Sequence, residues 1–267
     1  MTVRLKPDTT YEVVVSAFRL RVKLRRTAVA LAEAVRRTGS WLTAIIVVLS
    51  VAAPIAESAE ISFKAADGFE LKGTFHPVER GGPAILLLHQ CNADRWIYDQ
   101  LATMLNAAGY NVLAFDFRQG GTETRPGDVD AALSFLISQG TVNERALGVV
   151  GGSCGVNQAV HAARRHPAVR TLVLLSGGSD AEGEAFIRSS PRIPIYGIAS
   201  EEDTDAAAAI RKIVGLSANR ESRVDMLKDA GHAASMFGRQ PELQADIVIW
   251  FRSNLPPGGY GLPPAIK

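Results

Sequence analysis

Short, almost wholly apolar runs recur through the chain from about residue 60. Ala84–Leu88, Asn111–Phe115, Ala146–Val150, Thr171–Leu175, Ile193–Ala199 and Arg223–Leu227 are five to seven residues long and read as strands, most of them buried on both faces. Ahead of them, Ile61–Lys64 and Phe69–Phe75 read as an antiparallel pair turning at Asp67-Gly68. Between the runs, apolar residues return every three or four positions. That spacing predicts helices over Tyr98–Ala108, Asp128–Gln139, Val156–His166, Thr204–Leu216 and Pro241–Asn254. Gly109, Gly140 and Pro167 stop the first three. Strand alternating with helix predicts an α/β domain over 60–255: a mostly parallel sheet with helices on both faces, followed by a tail over 256–267. The gap between Leu175 and Ile193 has room for a loop and a short helix, not for a lid domain. Ligands of such sheets sit outside the carboxyl ends of the strands, so chemistry is sought just after each run.

The first 59 residues follow a different pattern. Residues 1–40 carry nine bases and three acids, a charge of +6, whereas the whole chain carries only +2. Trp41 to Ala53 is uncharged and apolar, and Ala56-Glu57-Ser58 fits a small-x-small cleavage site. This reads as a signal peptide cut after Ser58 or Ala59, or as an uncleaved membrane anchor through residues 41–56. Export to the periplasm or the medium is expected. Residues 1–28 precede any ordinary signal peptide and point to a start site assigned too far upstream. Residues 60–267 carry 20 bases and 23 acids, so the basic character does not imply a nucleic-acid partner.

Gly151-Gly152-Ser153-Cys154-Gly155 follows the Ala146–Val150 run and precedes a helix. A Gly-x-Ser-x-Gly turn this tight pushes the serine to its tip with the hydroxyl exposed, the arrangement of an activated nucleophile. The serine needs a base. Of the five histidines, His76, His89, His161 and His166 precede or flank it on other elements. His232 lies in a loop directly after the last strand and is the expected base. The base needs a carboxylate, and Ser200-Glu201-Glu202-Asp203-Thr204-Asp205 follows another strand. Asp203 is the expected acid, with Glu202 as the alternative; the competing role for Asp203 is N-cap of the next helix. Oxyanion donors are expected from the N–H of Cys154, which follows the nucleophile, and of Cys91, with Gln90 as the alternative. The two cysteines are therefore expected to be neighbours, as a pair of small buried thiols or, in an exported protein, as a disulfide.

These segments resemble the α/β-hydrolase superfamily, and within it the small dienelactone-hydrolase-like members. The resemblance rests on His89-Gln90-Cys91, the strand end Asp116-Phe117-Arg118, the Ser153 turn, Ala199-Ser-Glu-Glu-Asp203 and Gly231-His232. It implies an α/β-hydrolase fold, an oxyanion loop after the first long strand and a Ser-Asp-His set. Three departures stand out: Gln90 replaces a common Gly, Arg118-Gln119-Gly120-Gly121 replaces a common Arg-Gly-x-Gly, and Ser153 stands where dienelactone hydrolases carry cysteine. General ester hydrolysis is implied, not dienelactone as substrate. The expected function is a serine carboxylesterase acting through an acyl-enzyme on a small-molecule ester, with no metal or organic cofactor required. A serine peptidase or amidase, and a non-catalytic binding module on the same fold, are the alternatives. Acyl preference and oligomeric state are left open.

Overall fold

The sheet is built outward from β3 (Gly82–Leu88), a strand buried at all seven positions. The computed structural model describes residues 58–79, 81–120 and 125–258. The basic extension, the apolar run and most of the tail lie outside those residues, as do the expectations that rest on them. Burial on both faces requires neighbours on both edges. Parallel β4 (Asn111–Phe115) and β5 (Val142–Gly152) supply them. β6 (Val169–Leu175), β7 (Ile195–Ser200) and β8 (Arg223–Leu227) extend the parallel part beyond β5. On the other side β1 (Ala59–Lys64) and β2 (Glu70–His76) form an antiparallel hairpin, with β2 also antiparallel to β4. The order is β1-β2-β4-β3-β5-β6-β7-β8.

Alternate strand residues feed two cores. Leu86, Leu113, Val149 and Leu172 face one layer. There they meet α2 (Arg125–Ser138), α3 (Cys154–Arg165), α4 (Ala181–Ser189) and α5 (Thr204–Gly215). Leu87, Val112, Val150 and Val173 face the other, against α1 (Asp99–Ala107) and α6 (Leu243–Asn254). Each such side chain contributes about 1.5–3 kcal/mol by leaving water. The gap after Leu175 holds only α4 and loops, so no lid domain is inserted there among the described residues.

Element ends differ from the hydrophobic pattern where polar contacts decide them. β5 begins four residues before its apolar run, because Val142 pairs with Gly82 across polar Asn143, Glu144 and Arg145. Tyr98 belongs to a 3-10 turn, Arg95–Tyr98, because the Asp94 carboxylate accepts the Trp96 N–H and starts the chain turning early. A second 3-10 turn, Ala233–Gly238, has too short a period to be read in advance. At the strand end of β4, the Arg118 guanidinium bonds both Asp67 and the fully buried Asp128. The bond from Arg118 holds the Asp67 carboxyl below its ordinary range.

Candidate active site

The turn after β5 is shaped by what glycine leaves out. A Cβ on Gly151 would lie 2.5 Å from the Gly155 carbonyl oxygen, and one on Gly155 would lie 2.6 Å from the Leu88 carbonyl oxygen. Only bare backbone lets β3, β5 and α3 approach this closely. The residue between them, Ser153, is driven to φ 51° and ψ −116°. Such a conformation costs a non-glycine residue about 1–3 kcal/mol. The Ser153 N–H donates to the Leu175 carbonyl at 2.8 Å, which fastens the turn to β6. Its hydroxyl is left facing outward.

His232 meets that hydroxyl from the loop after β8. Its Nε2 is 2.8 Å from Ser153 Oγ, and its Nδ1 is 2.5 Å from Asp203 Oδ2. Nδ1 donates to the carboxylate, which leaves Nε2 as the acceptor for the serine hydroxyl. Asp203 occupies the N-cap position of α5, but its side chain makes no cap bond; the carboxylate is turned to His232 instead. The site is open: the His232 side chain is 46% exposed. A pocket of about 300 Å³ flanks the pair, with Glu202, Asp203, Asp229 and Arg239 among its lining.

The alternative acid, Glu202, holds the loop rather than the histidine. Its Oε2 accepts the Ser200 hydroxyl at 2.7 Å and the Asp229 N–H at 2.8 Å. Ser200 Oγ in turn accepts the Ala230 N–H at 3.0 Å. The Ser200 hydroxyl, with backbone amides behind it, keeps the Glu202 carboxyl below its ordinary range. Ser235 adds a second tie, its Oγ accepting the His232 N–H at 3.0 Å. These ties hold a loop with three positive-φ residues, Asp229, Gly231 and Ala233.

The loop after β3 faces the turn. His89 is buried, and burial pushes its pKa down, so the ring is neutral near pH 7. Nε2 accepts the Phe117 N–H at 3.0 Å, and Nδ1 donates to the Gln90 carbonyl at 2.8 Å. That carbonyl shares a peptide plane with the Cys91 N–H, so His89 sets where the N–H points. Gln90 adds a strut that a glycine there could not: its Oε1 accepts the Ala234 N–H at 3.1 Å. Cys91 and Cys154 form a disulfide. This corrects the expectation of two small buried thiols. The two Cα atoms lie 5.8 Å apart, within bonding geometry, and both residues are only half-buried. Arg125 lies alongside, its Nη1 3.1 Å from Cys91 Sγ.

The remaining histidines are elsewhere. His161 bonds Asp180, His166 bonds Asp130, and His76 ends β2. Sequence reasoning missed Ser200, Ser235 and Arg125, and it treated Glu202 and Gln90 only as alternatives. The Ser200-x-Glu202 spacing beside the acid is the one local signal that could have raised the first of these.

Comparison with known proteins bears on the fold that carries this geometry. A family model described as the alpha/beta hydrolase fold matches residues 83–194. Two uncharacterized proteins from strains of Mycobacterium tuberculosis are each 35% identical over 116 residues, covering 40% of this chain. The match spans 41% of the length of those relatives. Among solved structures, a dienelactone hydrolase from Anabaena variabilis superposes with a TM-score of 0.63 at 18% identity, over 76% of this chain and 100% of that one. An esterase from Pyrococcus furiosus superposes at 0.60 with 16% identity, over 75% of this chain and 91% of its own. An esterase domain from a Rhodothermus marinus protein gives 0.60 at 18%, over 74% and 100%. The eight-stranded sheet, the family-model match and these likenesses together give the chain the α/β-hydrolase fold.

Proposed function

We propose that this α/β hydrolase cleaves carboxylic esters with Ser153 as nucleophile, His232 as base and Asp203 as the orienting acid. The observation that carries the reading is the continuous relay from Ser153 Oγ through His232 to Asp203, assembled from three separate strand ends. Ser153 Oγ attacks the acyl carbon while its proton passes to His232 Nε2. Asp203 holds the ring by Nδ1 and stabilises the imidazolium. The carbonyl oxygen becomes an oxyanion that the N–H groups of Cys154 and Cys91 receive, each donor lowering the barrier by about 3–4 kcal/mol. Neither N–H has a backbone acceptor among the described residues. The imidazolium returns its proton to the departing alcohol. A water, deprotonated by His232, then attacks the acyl-enzyme and frees Ser153.

The absence of an inserted lid domain among the described residues favours small or extended esters over buried lipid chains. We also infer export. The signal-like segment, and a disulfide of the sort that persists in oxidising compartments, support it. A panel of p-nitrophenyl esters beside aminoacyl anilides tests the activity. Turnover of short-chain esters is expected to exceed that of anilides by at least about a hundredfold; the reverse preference would make the chain a peptidase.

A further inference from the structure

We infer that the Cys91–Cys154 disulfide is a thiol-exchange site that controls the oxyanion hole; the inference rests on the ester-hydrolase reading above. The bond joins the two residues whose N–H groups are proposed to receive the oxyanion, across 63 positions of sequence. It therefore ties the loop after β3 to the nucleophile turn at the place where their spacing matters most. Both residues are half-buried beside the half-buried Ser153, so a small thiol can reach the sulfurs through the substrate's own opening.

Each sulfur also sits where a thiolate is stabilised. Arg125 Nη1 lies 3.1 Å from Cys91 Sγ, and its Nε is buried without a hydrogen-bond partner among the described residues. The guanidinium, which also lies 5.4 Å from the centre of the Phe117 ring, thus puts positive charge beside one sulfur. Cys154 is the first residue of the 12-residue helix α3, whose free N–H groups and dipole favour an anion. Thiolates stabilised in this way are good leaving groups, and their stability favours the reduced form.

The exchange needs a dithiol, or two equivalents of a low-molecular-weight thiol, as the two-electron reductant. Its thiolate attacks one protein sulfur, the protein disulfide breaks, and the other cysteine leaves as thiolate. The reductant's second thiol then attacks the mixed disulfide, closes its own disulfide and leaves both protein sulfurs reduced, one as a thiol and one as a thiolate whose proton goes to solvent. The reduced site has an untied loop and negative sulfur beside the hole. Both oppose an oxyanion, while neither occludes a neutral ester. Reduction should therefore lower kcat with little change in KM, and an oxidising compartment should switch the enzyme on.

The test compares oxidised and dithiothreitol-reduced wild type, with thiols counted by mass spectrometry and folding followed by circular dichroism. The reduced, folded protein should lose about 10- to 100-fold in kcat on p-nitrophenyl acetate, the scale of one misaligned donor, and recover on reoxidation. The double variant Cys91→Ser/Cys154→Ser should be indifferent to dithiothreitol. Arg125→Gln should raise the dithiothreitol concentration needed for half-reduction severalfold, read by mass without any substrate. Equal kcat in both redox states, or no shift in that midpoint, would overturn the proposal. So would loss of the folded signal on reduction, which would make the bond a structural staple. An oxidised protein that turns over no ester would defeat the hydrolase reading instead, a result distinguishable from these because the reduction midpoint is measured without substrate.

Discussion

The turn that carries Ser153 and the loop that carries His232 meet at 2.8 Å but are held by opposite means. The turn is fixed by close packing: two glycines let backbone lie against backbone, and the serine side chain makes no cap bond to the helix that follows. The loop is fixed by polar struts: Glu202 and Ser200 hold Asp229 and Ala230, Gln90 holds Ala234, and Ser235 holds His232. Packing tolerates almost no change and fails through stability. Struts tolerate change one at a time and fail through alignment, with the fold left standing. The same site should therefore give two distinct mutant signatures.

The largest effect should come from removing what the struts position. His232→Ala should lower kcat by about 10⁴-fold or more on any ester, with an unchanged melting temperature, since the ring is half exposed. Next comes the packed side. Gly155→Ala forces a methyl to within 2.6 Å of the Leu88 carbonyl. It should cost about 3 kcal/mol or more in chemical denaturation and take activity down with the fold. Smaller again is Glu202→Gln, which keeps the shape but weakens the acceptor for Ser200 and Asp229. About a tenfold fall in kcat is expected, with the fold intact. Gln90→Gly should cost about threefold, since the His89 and disulfide ties remain.

Acid sharpens the contrast. Glu202 is held below its ordinary pKa in the folded protein, so the folded state binds fewer protons there than the unfolded chain. The stability it contributes is present above about pH 4.5 and is lost as pH falls through the lower folded value. The melting-temperature gap between wild type and Glu202→Gln should shrink below about pH 4.5. A gap that stayed constant through that range would remove Glu202 from the strut network.

This division also explains what could be read from sequence. The buried strands were legible because β3 is apolar along nearly its whole length, and the nucleophile turn because only glycine fits its flanks. The mostly parallel sheet with helices on both faces follows from that alternation, but the strand order does not. The struts were not legible. Ser200 finds Ala230 across 30 positions and Gln90 finds Ala234 across 144, distances at which spacing carries no information. Glu202 and Asp203 are adjacent carboxylates, and only the loop geometry gives one to His232 and the other to Asp229. The disulfide was foreseen only as an alternative: the two oxyanion positions bring the cysteines together, but the sequence does not say whether neighbouring thiols are oxidised.

One measurement bears most directly on the proposed chemistry: covalent labelling of the folded protein by a fluorophosphonate, with the modified peptide identified by mass spectrometry. A single label on the Ser153 peptide of wild type, abolished in Ser153→Ala and slowed by orders of magnitude in His232→Ala, is the predicted result. An unlabelled wild type, or a label on another residue that survives Ser153→Ala, would contradict the account.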